Sequence, residues 1–234
     1  MTGVLSIPEL DGQARLVHGF STRSLGDMRR AEDGTAMTPA RLAFAEVMAV
    51  DAGRLSVAGA VHGVDLTRVD EPRGVVGGVD GLVTDRPGLP LLATFADCRP
   101  LILHDPTRHA LALCHAGWRG AAAGMARSAV AALNREYGSR PEDLFAGIGP
   151  GICGACYEVG PDVAGRFDVA AVVASGDGRL LLDLELVNRV QLTDAGVRPD
   201  RIFTHRACTL ETPELPSHRG RPDGSRFACI AALR

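Results

Sequence analysis

Aromatic residues make up only 4% of this 234-residue chain, with one tryptophan and two tyrosines, so large rings cannot dominate its core. Alanine, valine, leucine and glycine must do the packing, which suits closely layered strands and helices. No eighteen apolar residues run together. The longest candidate, 89–103, is interrupted by Asp97, Arg99 and Pro100, which excludes a membrane-spanning helix there. No basic block occurs, and the net charge of −3 argues against a general nucleic-acid binder. Arginine far outnumbers lysine, which reads as coding bias and weakens any inference from arginine counts alone. The opening MTGVLSIPELDG lacks the basic and apolar segments of a secretion leader, so the six cysteines are expected to be reduced thiols in a cytoplasmic protein. Repeats, low-complexity tracts and long linkers are also missing, and the expectation is one domain over 1–234.

Periodicity predicts the elements. The polar stretch Ser24–Gly34 reads as a mobile surface loop. Thr38-Pro39 supplies a capping hydroxyl and a first-turn proline for a helix that closes at Gly53. Residues 54–62 alternate as a half-buried strand, and 64–70, 79–84, 89–96, 100–104 and 109–115 also read as strands. Helical spacing runs from Gly120 to Tyr137, with Gly138 as the stop, and again over 161–173 and 184–195. Further strands are expected at 144–148, 179–182, 201–205 and 227–233. Many adjacent strands with few helices between them favour an α+β fold: mixed β-sheets in a layered α/β sandwich with helices packed outside.

The chemistry concentrates in Ala96-Asp97-Cys98-Arg99-Pro100, Cys114-His115-Ala116-Gly117-Trp118-Arg119-Gly120 and Val61-His62-Gly63, each at a strand end. Taken alone, His62 reads as structural and Cys98 as a small hydrophobe. Together with His115 they form two imidazoles and one thiol, a set that can hold zinc and leave a fourth position for water. Strand alternation requires that choosing His115 and Cys98 turns Cys114 and Asp97 the other way, so Asp97 becomes a buried hydrogen-bond anchor. Asp80 and Asp85 read as turn formers. The Cys153-Gly154-Ala155-Cys156 pair reads as a structural or pocket-edge loop, because a zinc ribbon needs a second such pair. Arg119, at a helix start, and Arg23 are candidate phosphate holders. His18, His104, His109, His205 and His218 read as surface or core residues.

HGFSTR, VHG, DGLVTD, ADCRP, CHAGWRG, GIGPGI…CYEVG and the late CT…SHR…G, in that order, resemble the laccase-domain family over nearly the whole chain. That family was long classed as multicopper polyphenol oxidases and later as purine nucleoside phosphorylases. The resemblance implies zinc held by His62, Cys98 and His115 at the catalytic centre. It further implies phosphorolysis of adenosine, inosine and S-methyl-5'-thioadenosine with a slower adenosine deamination, so purine nucleosides and phosphate are the expected partners. Three positions depart from the pattern: Ala60 stands where glutamine is usual, Leu25-Gly26 replaces a glycine pair, and His218 replaces a tyrosine.

Two other chemistries fit the same residues. A copper polyphenol oxidase is the older reading, but it wants an axial methionine or many more histidines than the seven present. A cysteine amidohydrolase acting on cell-wall precursors would use Cys98 with a nearby histidine as base.

Overall fold

The computed structural model describes residues 3–31 and 36–234. In chain order the first elements are β1 (Val4–Leu5), α1 (Pro8–Asp11), β2 (Leu16–Ser21), α2 (Pro39–Val47), β3 (Ser56–Ala58), β4 (Leu66–Arg68) and β5 (Gly74–Val76). Next come β6 (Gly81–Thr84), β7 (Leu91–Phe95), β8 (Arg99–Asp105), β9 (Ala110–Ala116), α3 (Trp118–Ala123), α4 (Met125–Tyr137) and β10 (Phe145–Ile148). The chain finishes with β11 (Glu158–Val159), α5 (Pro161–Ala164), β12 (Val172–Ala174), β13 (Leu180–Leu182), α6 (Leu184–Asp194), β14 (Ile202–Thr204) and β15 (Phe227–Leu233).

Two six-stranded mixed sheets face each other, in the orders β1-β2-β15-β7-β3-β5 and β14-β10-β8-β9-β6-β4, and a small sheet β11-β13-β12 stands beside them. Alternation along the strands builds the layers. On β9, Leu111 and Leu113 meet Phe20, Phe95 and Phe227 between the sheets, while Ala110, Ala112 and Cys114 face Met125, Ala129 and Leu133 of α4. On the far side, Phe44 and Ala45 of α2 cover Leu92, Ala228 and Ile230. The result is an α+β sandwich with its helices outside, as the strand-rich pattern implies. Among the described residues, no helix is long and apolar enough to cross a membrane.

Several boundaries differ from the periodicity. The strand expected over 54–62 survives only as Ser56–Ala58, because Ala60 and His62 adopt left-handed backbone (φ 54° and 66°) and turn the chain off the sheet. The helix 120–137 begins instead at Trp118 and is split at Gly124, whose φ of 91° cannot continue it. Its neighbour α2 ends at Val47, before left-handed Ala49, rather than at Gly53. Residues 161–173 are not one helix: α5 stops at Gly165, and Val172–Ala174 pairs with β13, where β-branched residues fit a pleated surface better. Of the loop Ser24–Gly34, Glu32, Asp33 and Gly34 lie outside the described residues, while Met28 is fully buried rather than at the surface.

His104 on β8 is fully buried with neither ring nitrogen hydrogen-bonded. Burial brings its pKa down to about 4. The unfolded chain therefore binds a proton that the fold refuses, so this contribution to stability is complete above pH 6.5 and is lost as pH falls toward 4. We expect His104→Leu to be less sensitive to acid than the parent by about 2 kcal/mol at pH 5, relative to pH 7, in urea denaturation. Parallel pH profiles for the two proteins would contradict this account.

Candidate metal centre

β9 carries His115 on the same face as Leu111 and Leu113, toward the space between the sheets, where it is 3% exposed and its ring lies 5.4 Å from that of Phe95. Cys114, one residue earlier, points into the α4 layer, and burial pushes its thiol pKa far up. Between β7 and β8 the chain kinks at Asp97, whose φ is 79°, and presents Cys98 to the same space. His62 arrives on the loop after β3. The ligand atoms of His62, Cys98 and His115 all lie within 4.8 Å of one another.

Asp80 organises this arrangement. Its fully buried carboxylate accepts from the backbone N–H groups of Val61 (3.2 Å), His62 (2.8 Å) and Gly63 (2.6 Å). Its Oδ1 also lies 3.0 Å from His115 Nδ1. An ionised carboxylate only accepts, so Nδ1 must carry the proton and Nε2 is left as the ligand atom. Burial works against the charge on Asp80, but His115 and the loop N–H groups outweigh it and hold the pKa below the usual carboxylate range. The turn-former reading of Asp80 is therefore corrected: its motif forms a turn, but its side chain is the support of two candidate ligands.

The electrostatics favour a thiolate. Burial opposes ionisation of Cys98, yet the imidazoles of His115 and His62 bring its pKa down to about 6. Burial likewise opposes a charged His115, while Cys98 and Asp80 raise it to about 9. The donor set suits zinc: two imidazoles and a thiolate, one imidazole oriented by a carboxylate. Gly117 leaves the room this needs, because a Cβ there would sit 2.8 Å from Cys98 Sγ and 3.2 Å from His62 Cδ2.

The three side chains open onto a cavity of about 560 Å³, a volume typical of small-molecule sites. Arg29, Arg30, Arg41, Arg119, Arg219 and Arg226 line it, and among the described residues Asp97 is the one acidic residue in the lining. Asp97 is already engaged: its carboxylate accepts from Thr209 Oγ1 (2.6 Å), Ser217 Oγ (2.7 Å) and the Arg219 N–H (2.8 Å), the anchoring role that strand alternation implies. Burial, with a further contribution from Arg30 that Asp27 opposes, brings the Arg41 pKa down to about 10.

Arg119 lines the cavity with its guanidinium 4.4 Å over the Trp118 ring. Arg23 does not line it. Its Nη1 lies 3.2 Å from Asp223 Oδ2, while its Nε and Nη2 are buried without a hydrogen-bond partner. His218, expected at the surface or in the core, lines the cavity instead, as does Tyr157. The four cavity arginines that sequence reasoning missed, besides buried Arg41, are Arg29, Arg30, Arg219 and Arg226. They come from segments nearly two hundred residues apart in numbering, and only the late SHR string hinted at any of them.

Comparisons with known proteins show the family and the fold. Residues 18–233 match the family described as multi-copper polyphenol oxidoreductase laccase. A protein of Deinococcus radiodurans named purine nucleoside phosphorylase is 38% identical over 235 aligned positions, covering 92% of this chain and 88% of that protein. Adenosine deaminase RL5, from an unknown prokaryotic organism, is 30% identical, covering 88% of this chain and 84% of its own length. The crystal structure of the Bacillus licheniformis hypothetical protein YfiH superposes with a TM-score of 0.88 at 28% identity, over 100% of this chain and 97% of that one. With its model spanning the two main sheets and all three candidate ligands, the chain belongs to the multi-copper polyphenol oxidoreductase laccase family.

Proposed function

We propose that this protein is a zinc-dependent purine nucleoside phosphorylase with adenosine deaminase side activity, acting on adenosine, inosine and S-methyl-5'-thioadenosine. The observation that carries the reading is the convergence of His62, Cys98 and His115 on the wall of an arginine-lined cavity. The names of the relatives in Deinococcus radiodurans and of RL5 support the substrate class.

Three protein ligands are the number that catalytic zinc sites use, and a bound ion there supplies Lewis acidity and a water of lowered pKa. The chain's own residues do the rest. Asp80 keeps the His115 ring turned with Nε2 inward and holds the 61–63 loop against the site. Trp118 and Tyr157 line the cavity where a purine would lie, with the Arg119 guanidinium over the first ring and that of Arg219 over the second. In phosphorolysis an oxygen of phosphate bonds to C1′ as the glycosidic bond breaks and its electron pair leaves with the base. Positive charge gathers on the sugar while phosphate must be held beside it. Arg119 and Arg219 line the cavity and are the candidates to hold that anion, and Arg30 and Arg226 add to the field that draws it in, whereas Arg29 is paired with Asp27.

A specific observation favours a second reading. Cys98 at a pKa of about 6 beside two imidazoles is also an activated nucleophile, as a cysteine amidohydrolase acting on cell-wall precursors would need. Chelation separates the two: it abolishes metal-dependent phosphorolysis but leaves a thiol nucleophile working.

Purified protein given inosine is expected to release hypoxanthine and ribose 1-phosphate only when phosphate is present, with activity lost to a chelator and restored by zinc. Base release that ignores phosphate would mean a hydrolase. Gly117→Ala should lower zinc occupancy and activity together by roughly tenfold or more, because the added methyl group meets the Cys98 sulfur at 2.8 Å; unchanged zinc content in the purified variant would refute this. Arg119→Ala should raise KM for phosphate by about tenfold, a charge-assisted hydrogen bond's worth, with a smaller effect on KM for inosine. Equal effects on both substrates would remove Arg119 from the phosphate site.

A further inference from the structure

A second group of soft ligands lies outside the candidate centre: the ligand atoms of Cys153, Cys156, Cys208 and Glu211 are all within 4.8 Å of one another. They come from two short turns of the same form. In one, Cys156 N–H donates to Cys153 O (3.0 Å), and in the other Glu211 N–H donates to Cys208 O (3.2 Å). The Cys-x-x-Cys pair thus does have a counterpart, a Cys-x-x-Glu, which a search for a second cysteine pair passes over. A parallel bridge between Gly151 and Cys208 and the bond from Thr209 N–H to Gly151 O hold the two turns side by side. The Cys153 N–H points at Cys208 Sγ (3.3 Å), and Cys156 Sγ lies 3.5 Å from Glu211 Oε1.

An independent observation comes from Arg99. It is 1% exposed and donates only to the carbonyls of Gly149 (3.0 Å) and Ile152 (3.2 Å), with Nε left without a partner. Among the described residues no carboxylate forms a salt bridge with it. A buried guanidinium is costly unless negative charge lies near it. Glu185 and Asp183 act on it most strongly and the Cys208 and Cys153 sulfurs after them, so thiolates there would add to the negative charge around Arg99.

We propose that Cys153, Cys156, Cys208 and Glu211 form a second metal site, taking one zinc ion as a closed, four-ligand structural centre. Tetrahedral zinc with Zn–S near 2.3 Å places sulfurs about 3.8 Å apart, so closing this group onto an ion takes side-chain shifts of about 1 Å. Binding releases the thiol protons, and the resulting net negative charge sits beside Arg99. The consequence is positional. One turn leads directly into Tyr157, which lines the cavity, and the other into Thr209, which anchors Asp97 next to Cys98. The ion would tie these two walls of the cavity together without touching substrate.

Elemental analysis of the full chain, purified under reductant, tests this. The Cys98→Ala variant, which lacks the thiolate of the first site, should retain about one equivalent of zinc, and adding Cys156→Ser should remove it. Loaded with Co²⁺, the Cys98→Ala variant should show a thiolate-to-cobalt charge-transfer band that disappears with Cys156→Ser. Glu211→Gln, on an exposed side chain, should leave the circular dichroism unchanged while weakening zinc binding at this site about tenfold. Absence of zinc and of the cobalt band from Cys98→Ala, or retention of both in the double variant, would overturn the proposal. A disulfide among the three cysteines in protein purified under reductant would overturn it equally. These readouts do not depend on nucleoside turnover, so failure of the phosphorylase reading leaves them intact.

Discussion

One buried carboxylate holds this site together. Asp80 sits at the start of β6 with no exposure to water, and its oxygens take up the N–H groups of Val61, His62 and Gly63 and the Nδ1–H of His115. Its own carbonyl accepts the His115 N–H at 2.7 Å. Three separate segments, the loop after β3, the start of β6 and the end of β9, are thereby locked to a single charge. A buried carboxylate would be expensive alone, and four donors make it tolerable. The same bonds explain why Ala60 and His62 sit in left-handed backbone: the loop curls so that consecutive amides face one acceptor.

Asp97 repeats the device on the other wall. It too has positive φ, and its carboxylate gathers Thr209, Ser217 and the Arg219 amide from the far end of the chain. Cys98, next in sequence, therefore points inward on a backbone that is pinned from behind. Among the described residues the cavity between these two carboxylates is lined by six arginines and one acid, Asp97, and that excess of positive charge gives a field suited to an anion. The chain has no lysine, so planar guanidinium groups supply all of that field.

Legibility varied with the range over which each feature is encoded. Alternation on β9 separates His115 from Cys114 within a single strand, and the sequence states that directly. The helix start at Thr38-Pro39 was readable for the same reason, since a cap acts within one turn. The 161–173 segment was not, because its helical spacing competes with pairing to β13, which only the folded chain supplies. Asp80 looked like a turn residue because its four donors come from positions 61–63 and 115, and nothing local reports them. That Arg23 lies beside Asp223, two hundred residues away in the chain, was equally beyond local reading.

Residues and their strand faces thus determine the α+β layering and which of two neighbouring groups looks inward, because side-chain direction follows from backbone period alone. The tertiary structure decided which polar groups meet: Asp80 with His115, Asp97 with Ser217, Arg219 with the cavity, Cys153 with Cys208. Such meetings join positions from 35 to 122 apart in the chain. They depend on how sheets stack and loops close, and no local period in a sequence carries that information.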